Sequence, residues 1–370
     1  MRILIITHSP LSVEFGAGQM ALHLTEALKA QGHDVVLWSP QPLLHTRWWQ
    51  GLQRMRSKVD AFIETQEPFD IIDSPASLIT KRVRKSAAVV ARSTQPDLLY
   101  LLNDLKSPLK PGLKNVARIP LNHLYTLFHM SLVLMGWARA SFIVCLGTIE
   151  LEWMRRRFPW WRKKLTSYMN ALSEADQAAL AAIRERRMGR RADGLRFLWI
   201  GRWVSHKGHD ILLDFIKEWS SARPQDTFTI AGCGREAEKD CPAALLQSGR
   251  LIIVPSFNRD ELYSLLAEND IGLFTSRVEG WGLVLNEMLE SGMQVFSTHA
   301  GGTPDLQPFF RENLKPFPPT VEAALGRHTS NSSMEEYYDL FTWQKIAGNY
   351  SELFRVTSGS AVAPVINPVS

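Results

Sequence analysis

Cysteine is scarce in this 370-residue chain: only Cys145, Cys233 and Cys241 occur. The nearest pair lies eight residues apart, which fits neither a zinc knuckle nor a redox C-x-x-C. Thiols used so sparingly suit a reducing compartment, where they pack as small apolar groups. Long apolar runs are missing too. The opening MRILIITHSP offers four apolar residues after Arg2, too few for the core of a signal peptide. The stretch Leu124–Trp137 is broken by His129 and Ser131 and falls short of the roughly 20 residues that span a bilayer; it reads as a core helix. No Asp-x-Asp and no His/Cys group at ligand spacing is present, so no metal is expected. Repeats and low-complexity segments of note are absent as well.

What is present describes a folded soluble protein. Apolar residues make up 45% and charged residues 21%, which excludes a disordered, collagen-like or coiled-coil chain. At about 150 residues per domain, the length suggests two domains or one large one. The net charge of +5 hides an asymmetry. Residues 1–195 hold 27 Lys and Arg against 16 Asp and Glu, a balance of +11; residues 196–370 hold 15 against 21, a balance of −6. The basic half should meet something anionic.

Short apolar runs alternate with helical patterns along the whole chain. Strands are expected at Arg2–Thr7, Asp34–Trp38, Phe69–Asp73, Ala88–Arg92, Phe142–Leu146 and Leu165–Met169. After an Arg-rich stretch at Ile183–Gly194 the alternation restarts, with strands at Phe197–Gly201, Thr227–Ala231, Leu251–Val254, Ile271–Thr275 and Val295–Thr298. Continuous apolar strands separated by helices predict parallel sheets covered on both faces. From Thr320 the pattern is helical to about Phe354, with a polar break at His328–Ser333. The end, Val356–Ser370, reads as a flexible tail.

Three strand-to-helix loops carry candidate chemistry, and open α/β sheets bind ligands at such strand ends. The first is Arg277-Val-Glu279-Gly280-Trp281-Gly282-Leu283, running into a helix with Glu287. Its glycines let backbone N–H groups approach an anion at a helix start, and its carboxylates can accept from sugar hydroxyls. The second is Gly201-Arg202-Trp-Val-Ser-His206-Lys207-Gly208. Two cations beside a helix start suit a diphosphate, Arg as a planar fork and Lys as a mobile point charge. The third is Glu14-Phe-Gly16-Ala-Gly18-Gln19. Position 21 is Ala and Trp38-Ser-Pro follows the next strand, so the dinucleotide fingerprint is incomplete. A loop near sugar or phosphate is the better reading.

EGWGLVLNEMLESG, GRWVSHKGHD, AGCG at 231–234 and AGGTPDL at 300–306 resemble the nucleotide-sugar half of retaining glycosyltransferases of family four, the group 1 transferases. The glycine loop, GHDVVLWSP and FTWQKIAGNYSELF are similar to the rest of that family. The resemblance implies the α/β GT-B fold: two Rossmann-like parallel-sheet domains facing a cleft, with a C-terminal helix crossing back to the first. It assigns 1–182 to the acceptor domain, 183–194 to a linker, 195–340 to the nucleotide-sugar domain, 341–355 to the crossover helix and 356–370 to the tail. It also implies roles. Arg202 and Lys207 hold the donor diphosphate, and Glu279 touches the transferred sugar. Gly280, Trp281, Gly282 and Leu283 give backbone contacts, Glu287 binds the ribose, and Gly16 and Gly18 close over the donor. The donor is a nucleotide-sugar, UDP-linked in the first instance, used as a co-substrate without a metal or other cofactor. Where many members carry a His after the fourth strand, this chain has Ser93 and Thr94, which become the acceptor-side candidates.

The first half also clusters cations with tryptophan: Arg47-Trp48-Trp49, then Lys106, Lys110, Lys114 and Arg118, then Arg155-Arg-Arg-Phe-Pro-Trp160-Trp161-Arg-Lys-Lys164. Such clusters suit an anionic membrane surface, and no nucleic-acid module is recognisable. The expectation is a cytoplasmic protein, peripheral on the inner face of the plasma membrane. It would transfer sugar to a membrane-linked or polysaccharide acceptor in glycolipid, lipopolysaccharide or polysaccharide synthesis. A nucleotide-sugar epimerase, or an inactive GT-B protein binding glycan or membrane, are the rival readings.

Overall fold

In a computed structural model the structure describes residues 1–12, 16–43, 50–106, 119–187, 194–326 and 334–359. The chain divides into two compact units, Met1–Asn170 with Leu340–Ser370, and Ala171–Asp339. Glu14, the Arg47-Trp48-Trp49 cluster, Lys110, Lys114, Arg118, the break at 328–333 and most of the expected tail lie outside the described residues.

The first unit is built on six parallel strands: β1 Arg2–Ile6, β2 Asp34–Trp38, β3 Ile71–Ser74, β4 Ala88–Arg92, β5 Phe142–Leu146 and β6 Leu165–Tyr168. Their order is β2-β1-β3-β4-β5-β6. Ile3, Leu4, Ile5 and Ile6 are all fully buried, as a parallel strand covered on both faces requires. On one face Leu4, Ile72, Val89, Ala91 and Ile143 form a core with Val59 and Ile63 of helix Gly51–Glu64 and with Val133 and Trp137 of helix Ile119–Arg139. That last helix is only half a core helix. Leu132, Val133 and Trp137 are buried, but Leu121, Leu124 and Leu127 are 50%, 64% and 55% exposed.

The second unit repeats the plan with β7 Arg196–Ile200, β8 Thr227–Ala231, β9 Leu251–Val254, β10 Ile271–Phe274, β11 Gln294–Ser297 and β12 Leu314–Pro316. The order is β12-β11-β10-β7-β8-β9, all parallel. The chain moves outward from β7 through β8 to β9 and then returns to the other side of β7 as β10. The β7–β10 junction is therefore the topological switch point, where ligands of open sheets bind. Strand β12 is not among the expected strands; it is only three residues long and contains Pro316, which hides a strand pattern.

The units divide elsewhere than the sequence suggests. Helix Glu174–Arg187, which spans the end of 1–182 and the start of the linker 183–194, belongs to the second unit. Two of the arginines that looked like linker composition are contacts. Arg184 donates to the Glu290 carbonyl at 2.7 Å and Arg187 to the Ser291 carbonyl at 3.1 Å. Both meet the C-terminal end of helix Leu283–Glu290, where carbonyls lack helical partners and cations are favoured. At the other end, helix Trp343–Thr357 runs two residues past the expected 341–355 and joins the first unit. Thr342 caps it, accepting from the Lys345 amide at 3.3 Å. Gln31, at the end of helix Gly16–Ala30, bonds it twice, to the Gln344 carbonyl at 3.0 Å and the Ser351 hydroxyl at 2.6 Å.

Candidate donor and acceptor sites

The two charged motifs of the second unit lie on the strands that flank its switch point. Arg202 follows β7 and is exposed; Lys207 ends the short 3-10 turn Ser205–Lys207. Hydrogen bonds fasten that turn to the end of β10, and Trp199 of β7 joins them. The Arg277 amide donates to the His206 carbonyl at 2.8 Å, Thr275 Oγ1 donates to the Lys207 carbonyl at 2.9 Å, and Trp199 Nε1 donates to Thr275 Oγ1 at 2.9 Å. Lys207 Nζ reaches Glu279 Oε2 as an ion pair. Burial pushes the Glu279 carboxyl up, but Lys207 outweighs it and holds the group below the usual carboxylate range. Ser276 also donates to Glu279, at 3.2 Å. His206 is driven down to about 4 by burial and by the repulsion of Lys207 and Arg202, so it is neutral at pH 7.

Gly280, Trp281 and Gly282 complete the loop before helix Leu283–Glu290. Gly282 adopts the left-handed conformation, φ +84°, where a Cβ would lie 2.7 Å from the Phe274 ring; only glycine fits. Trp281 is buried, and its Nε1 donates to Asn286 Oδ1 at 2.5 Å. Asn286 donates in turn to Tyr337, whose hydroxyl donates to Glu290 Oε1 at 2.7 Å. Tyr338 donates to the other Glu290 oxygen at 3.0 Å. This buried chain holds the loop against helix Met334–Leu340. Leu283 opens a helix whose first N–H groups have no acceptor within it, the arrangement that receives an anion.

Glu287 is 3% exposed and is not a surface charge. Arg259 donates to its Oε1 at 2.6 Å and to Asp176 Oδ1 at 2.9 Å; Tyr263 donates to the same Asp176 oxygen at 2.6 Å. Burial raises the Glu287 carboxyl despite Arg259. For Asp176, burial also pushes up, but hydrogen bonds from Tyr263 and Ser173 together with Arg259 bring the group below its usual range. Sequence reading found Glu287 but missed Arg259 and Asp176. A capping box at Asn258/Glu261 marks the start of the helix that aims Arg259, and an Asn-x-x-Glu before an apolar run is a readable sign.

In the first unit Gly16 opens the helix Gly16–Ala30. Gly18 is buried, and a Cβ there would meet the Pro10 and Ser12 carbonyl oxygens at 2.6 and 2.5 Å, so its smallness lets the helix sit on the loop after β1. Ser93 and Thr94 follow β4. The Ser93 hydroxyl lies 2.7 Å from the Gln95 carbonyl oxygen and 2.8 Å from Glu150 Oε1; the Ser93 carbonyl accepts from Tyr168 at 2.7 Å. Thr94 is partly exposed. Nearby on the same strands, Arg92 donates to Asp73 at 2.7 Å with both side chains fully buried. Among the described residues no group of three or more His, Cys, Asp or Glu could hold a metal ion.

Two six-stranded parallel sheets with charged loops at a switch point define an α/β protein of the GT-B class. Residues 184–307 match the family described as Glycosyl transferases group 1. The chain is similar to sucrose-phosphate synthase from Thermosynechococcus elongatus, with TM-score 0.70 and 16% identity over 97% of this chain and 100% of the other. Anabaena HepE, solved in complex with UDP-glucose, gives TM-score 0.55 and 16% identity over 97% of each chain. Among curated proteins, a component of the human phosphatidylinositol N-acetylglucosaminyltransferase is 24% identical over 189 residues, 48% of this chain. The match spans 39% of that relative's length.

Proposed function

We propose that this protein transfers a sugar, with retention and without a metal, from a nucleotide-sugar donor to a membrane-linked or polysaccharide acceptor. The observation that carries the reading is the Lys207–Glu279 pair at the β7–β10 switch point, with Arg202 exposed beside it and a glycine-rich helix start opposite. The cation and the N–H groups can offset the charge that develops on a departing nucleoside diphosphate. Glu279, ionised and held in place, can accept from the hydroxyls of the transferred sugar. On this reading the acceptor attacks from the face the diphosphate leaves, and the leaving phosphate takes its proton. UDP is the carrier to try first, because a relative of the same fold carries a UDP-sugar.

The membrane-linked acceptor is supported by the first unit's surface. Trp160 is 68% exposed, and Arg156, Arg157, Arg162 and Lys163 around it are exposed as well. The uncharged outer stripe of helix Ile119–Arg139, with Leu121, Leu124 and Phe128, adds apolar surface. No described helix is long and apolar enough to cross a membrane, so attachment would be to one face of a bilayer, on our reading the cytoplasmic one. The named substrate of the human relative, phosphatidylinositol, is a lipid.

A thermal-shift panel of nucleoside diphosphates and their sugars tests the donor half, since a ligand selective for the folded state raises its melting point. Glu279→Ala should abolish the extra shift given by the sugar while leaving that of the bare diphosphate. No shift with any member of the panel would remove the donor assignment.

A further inference from the structure

Ser93 has one hydroxyl proton and two close oxygen neighbours. The Gln95 carbonyl, at 2.7 Å, can only accept, so the Ser93 proton belongs there. The second contact, 2.8 Å to Glu150 Oε1, then needs a proton from the other side. An ionised carboxylate has none to give. The remaining Glu150 oxygen accepts the Leu146 amide at 2.7 Å. Glu150 is 4% exposed, and no Lys or Arg forms an ion pair with it among the described residues.

We infer that Glu150 is a positioning residue, a neutral carboxylic acid that donates to Ser93 and accepts from Leu146, and so pins the loop after β4 to the start of helix Gly147–Arg157. Every hydrogen-bonding group in the cluster is then satisfied: acid O–H to Ser93, Ser93 to Gln95, the Leu146 N–H to the acid carbonyl oxygen, and Tyr168 to the Ser93 carbonyl. The surroundings agree. Burial first, and the Asp97 carboxyl after it, raise Glu150 to about 8 against the pull of its two hydrogen bonds. The groups facing the cluster are Asp97 on helix Asp97–Lys106, Arg92 on β4, Cys145 on β5 and Tyr168 on β6, with Asp73 behind Arg92, and Arg155, on the helix of Glu150 itself, acting on Cys145. Cys145 and Tyr168 are both raised by burial and stay neutral. Ionisation of Glu150 would set a carboxylate against a hydroxyl that already has its acceptor, and the loop carrying Ser93 and Thr94 would lose its tether. That this loop meets an acceptor rests on the proposed function; the tether itself does not.

The folded state keeps a proton that the unfolded chain gives up near pH 4.5, so the contribution is full below that pH and is lost as pH rises through about 8. Glutamine reproduces the neutral acid's donor and acceptor. We expect Glu150→Gln to melt within about 2 °C of the wild type at pH 6 and to decline less between pH 5 and 8. Glu150→Ala, which leaves the Leu146 amide unpaired, should melt at least about 4 °C lower at pH 6. Carbon-13 NMR of the wild type's glutamate carboxyls provides a reading independent of variant folding: one should titrate near pH 8 and move in Ser93→Ala. If Glu150→Gln is as damaged as Glu150→Ala, or no glutamate titrating above pH 7.5 responds to Ser93→Ala, Glu150 is ionised and the tether is wrong. Transfer assays separate the two claims. A confirmed titration with pH-independent acceptor KM would keep the tether and remove the acceptor role of the Ser93–Thr94 loop.

Discussion

In the second unit's loop and helix after β10, Glu279, partly buried, and Glu287, buried like Glu150, each meet a cation, Lys207 and Arg259. At the ends of β4 and β5 in the first unit, Glu150 is buried and meets a serine hydroxyl and a backbone amide instead. Both sheets are six-stranded and parallel with one switch point each, so the scaffold does not explain the contrast. On the proposed function, the difference lies in what the loops must do. A site for a diphosphate keeps charge ready and stores it as ion pairs that a ligand can rearrange. A neutral acid cluster keeps charge away and fixes a loop by hydrogen bonds alone. In the first unit the cation that could have served, Arg92, is committed to Asp73.

The sharpest break of this contrast is to strip a cation from the charged unit. Arg259→Ala leaves Glu287 and Asp176 buried without their shared partner. Removing one member of a buried pair costs about 3–5 kcal/mol; Arg259 is itself partly exposed, so about 3 kcal/mol is expected in urea unfolding. Adding Glu287→Gln should recover much of the loss. A single variant as stable as wild type would mean that Glu287 is already neutral, like Glu150.

Glu290 tests whether neutral acids are confined to the first unit. It is fully buried, takes bonds from Tyr337 and Tyr338, and is raised by burial to about 7. Its folded value is above its unfolded one, so its contribution is whole below pH 4.5 and falls away as pH rises through 7. We expect the wild type to lose on the order of 2 kcal/mol across that window relative to Glu290→Gln. Parallel stability–pH curves for the two proteins would show that Glu290 is ionised throughout.

Charge and glycine made the second unit legible. Arg202, Lys207, Glu279 and Gly282 are residues whose types announce a phosphate or sugar site at a strand end, and the structure brings Lys207 and Glu279 into contact. Strand positions were legible for the same reason that the sheets are buried: runs such as RILII and FIVCL have no polar alternative. Glu150 and Asp97 carried no such signal, because a neutral acid is defined by its surroundings rather than by its neighbours in sequence; Ser93 stood out only through the family resemblance. Arg184 and Arg187 misled because arginines capping a helix end and arginines in a solvated linker have the same composition. Leu121 and Leu124 misled as well, since apolar residues on an exposed stripe look like core until the packing is known.

The charged pair at the switch point sharpens the comparison in a second way, through ligand binding. Lys207→Ala and Arg202→Ala should each weaken nucleoside-diphosphate binding by roughly 1.5–3 kcal/mol, the worth of a charge-assisted hydrogen bond. Only Lys207→Ala should also lower stability, because Lys207 neutralises Glu279 in the unliganded protein. Calorimetry with UDP, alongside melting curves, separates the two effects. Unchanged affinity in both variants would leave the pair as a structural bridge.

The smallest effect per residue is expected at the first unit's surface, where the cations are exposed rather than paired inside. Lys164 is excluded from that set, since it donates to the Trp137 and Ala140 carbonyls and serves the fold. Arg156, Arg157, Arg162 and Lys163 remain, around exposed Trp160. Each Lys or Arg near an anionic bilayer contributes about 1 kcal/mol, screened within a Debye length of about 8 Å at physiological salt. Changing all four to Gln should therefore weaken sedimentation with anionic vesicles by about two orders of magnitude or more at low salt, and by much less at high salt. Trp160→Ser and Leu124→Ser should weaken binding at both salts, because apolar insertion is not screened. If neutral and anionic vesicles bind the wild type equally poorly at low salt, the basic face is solvated surface, and the first unit's acceptor is a soluble glycan.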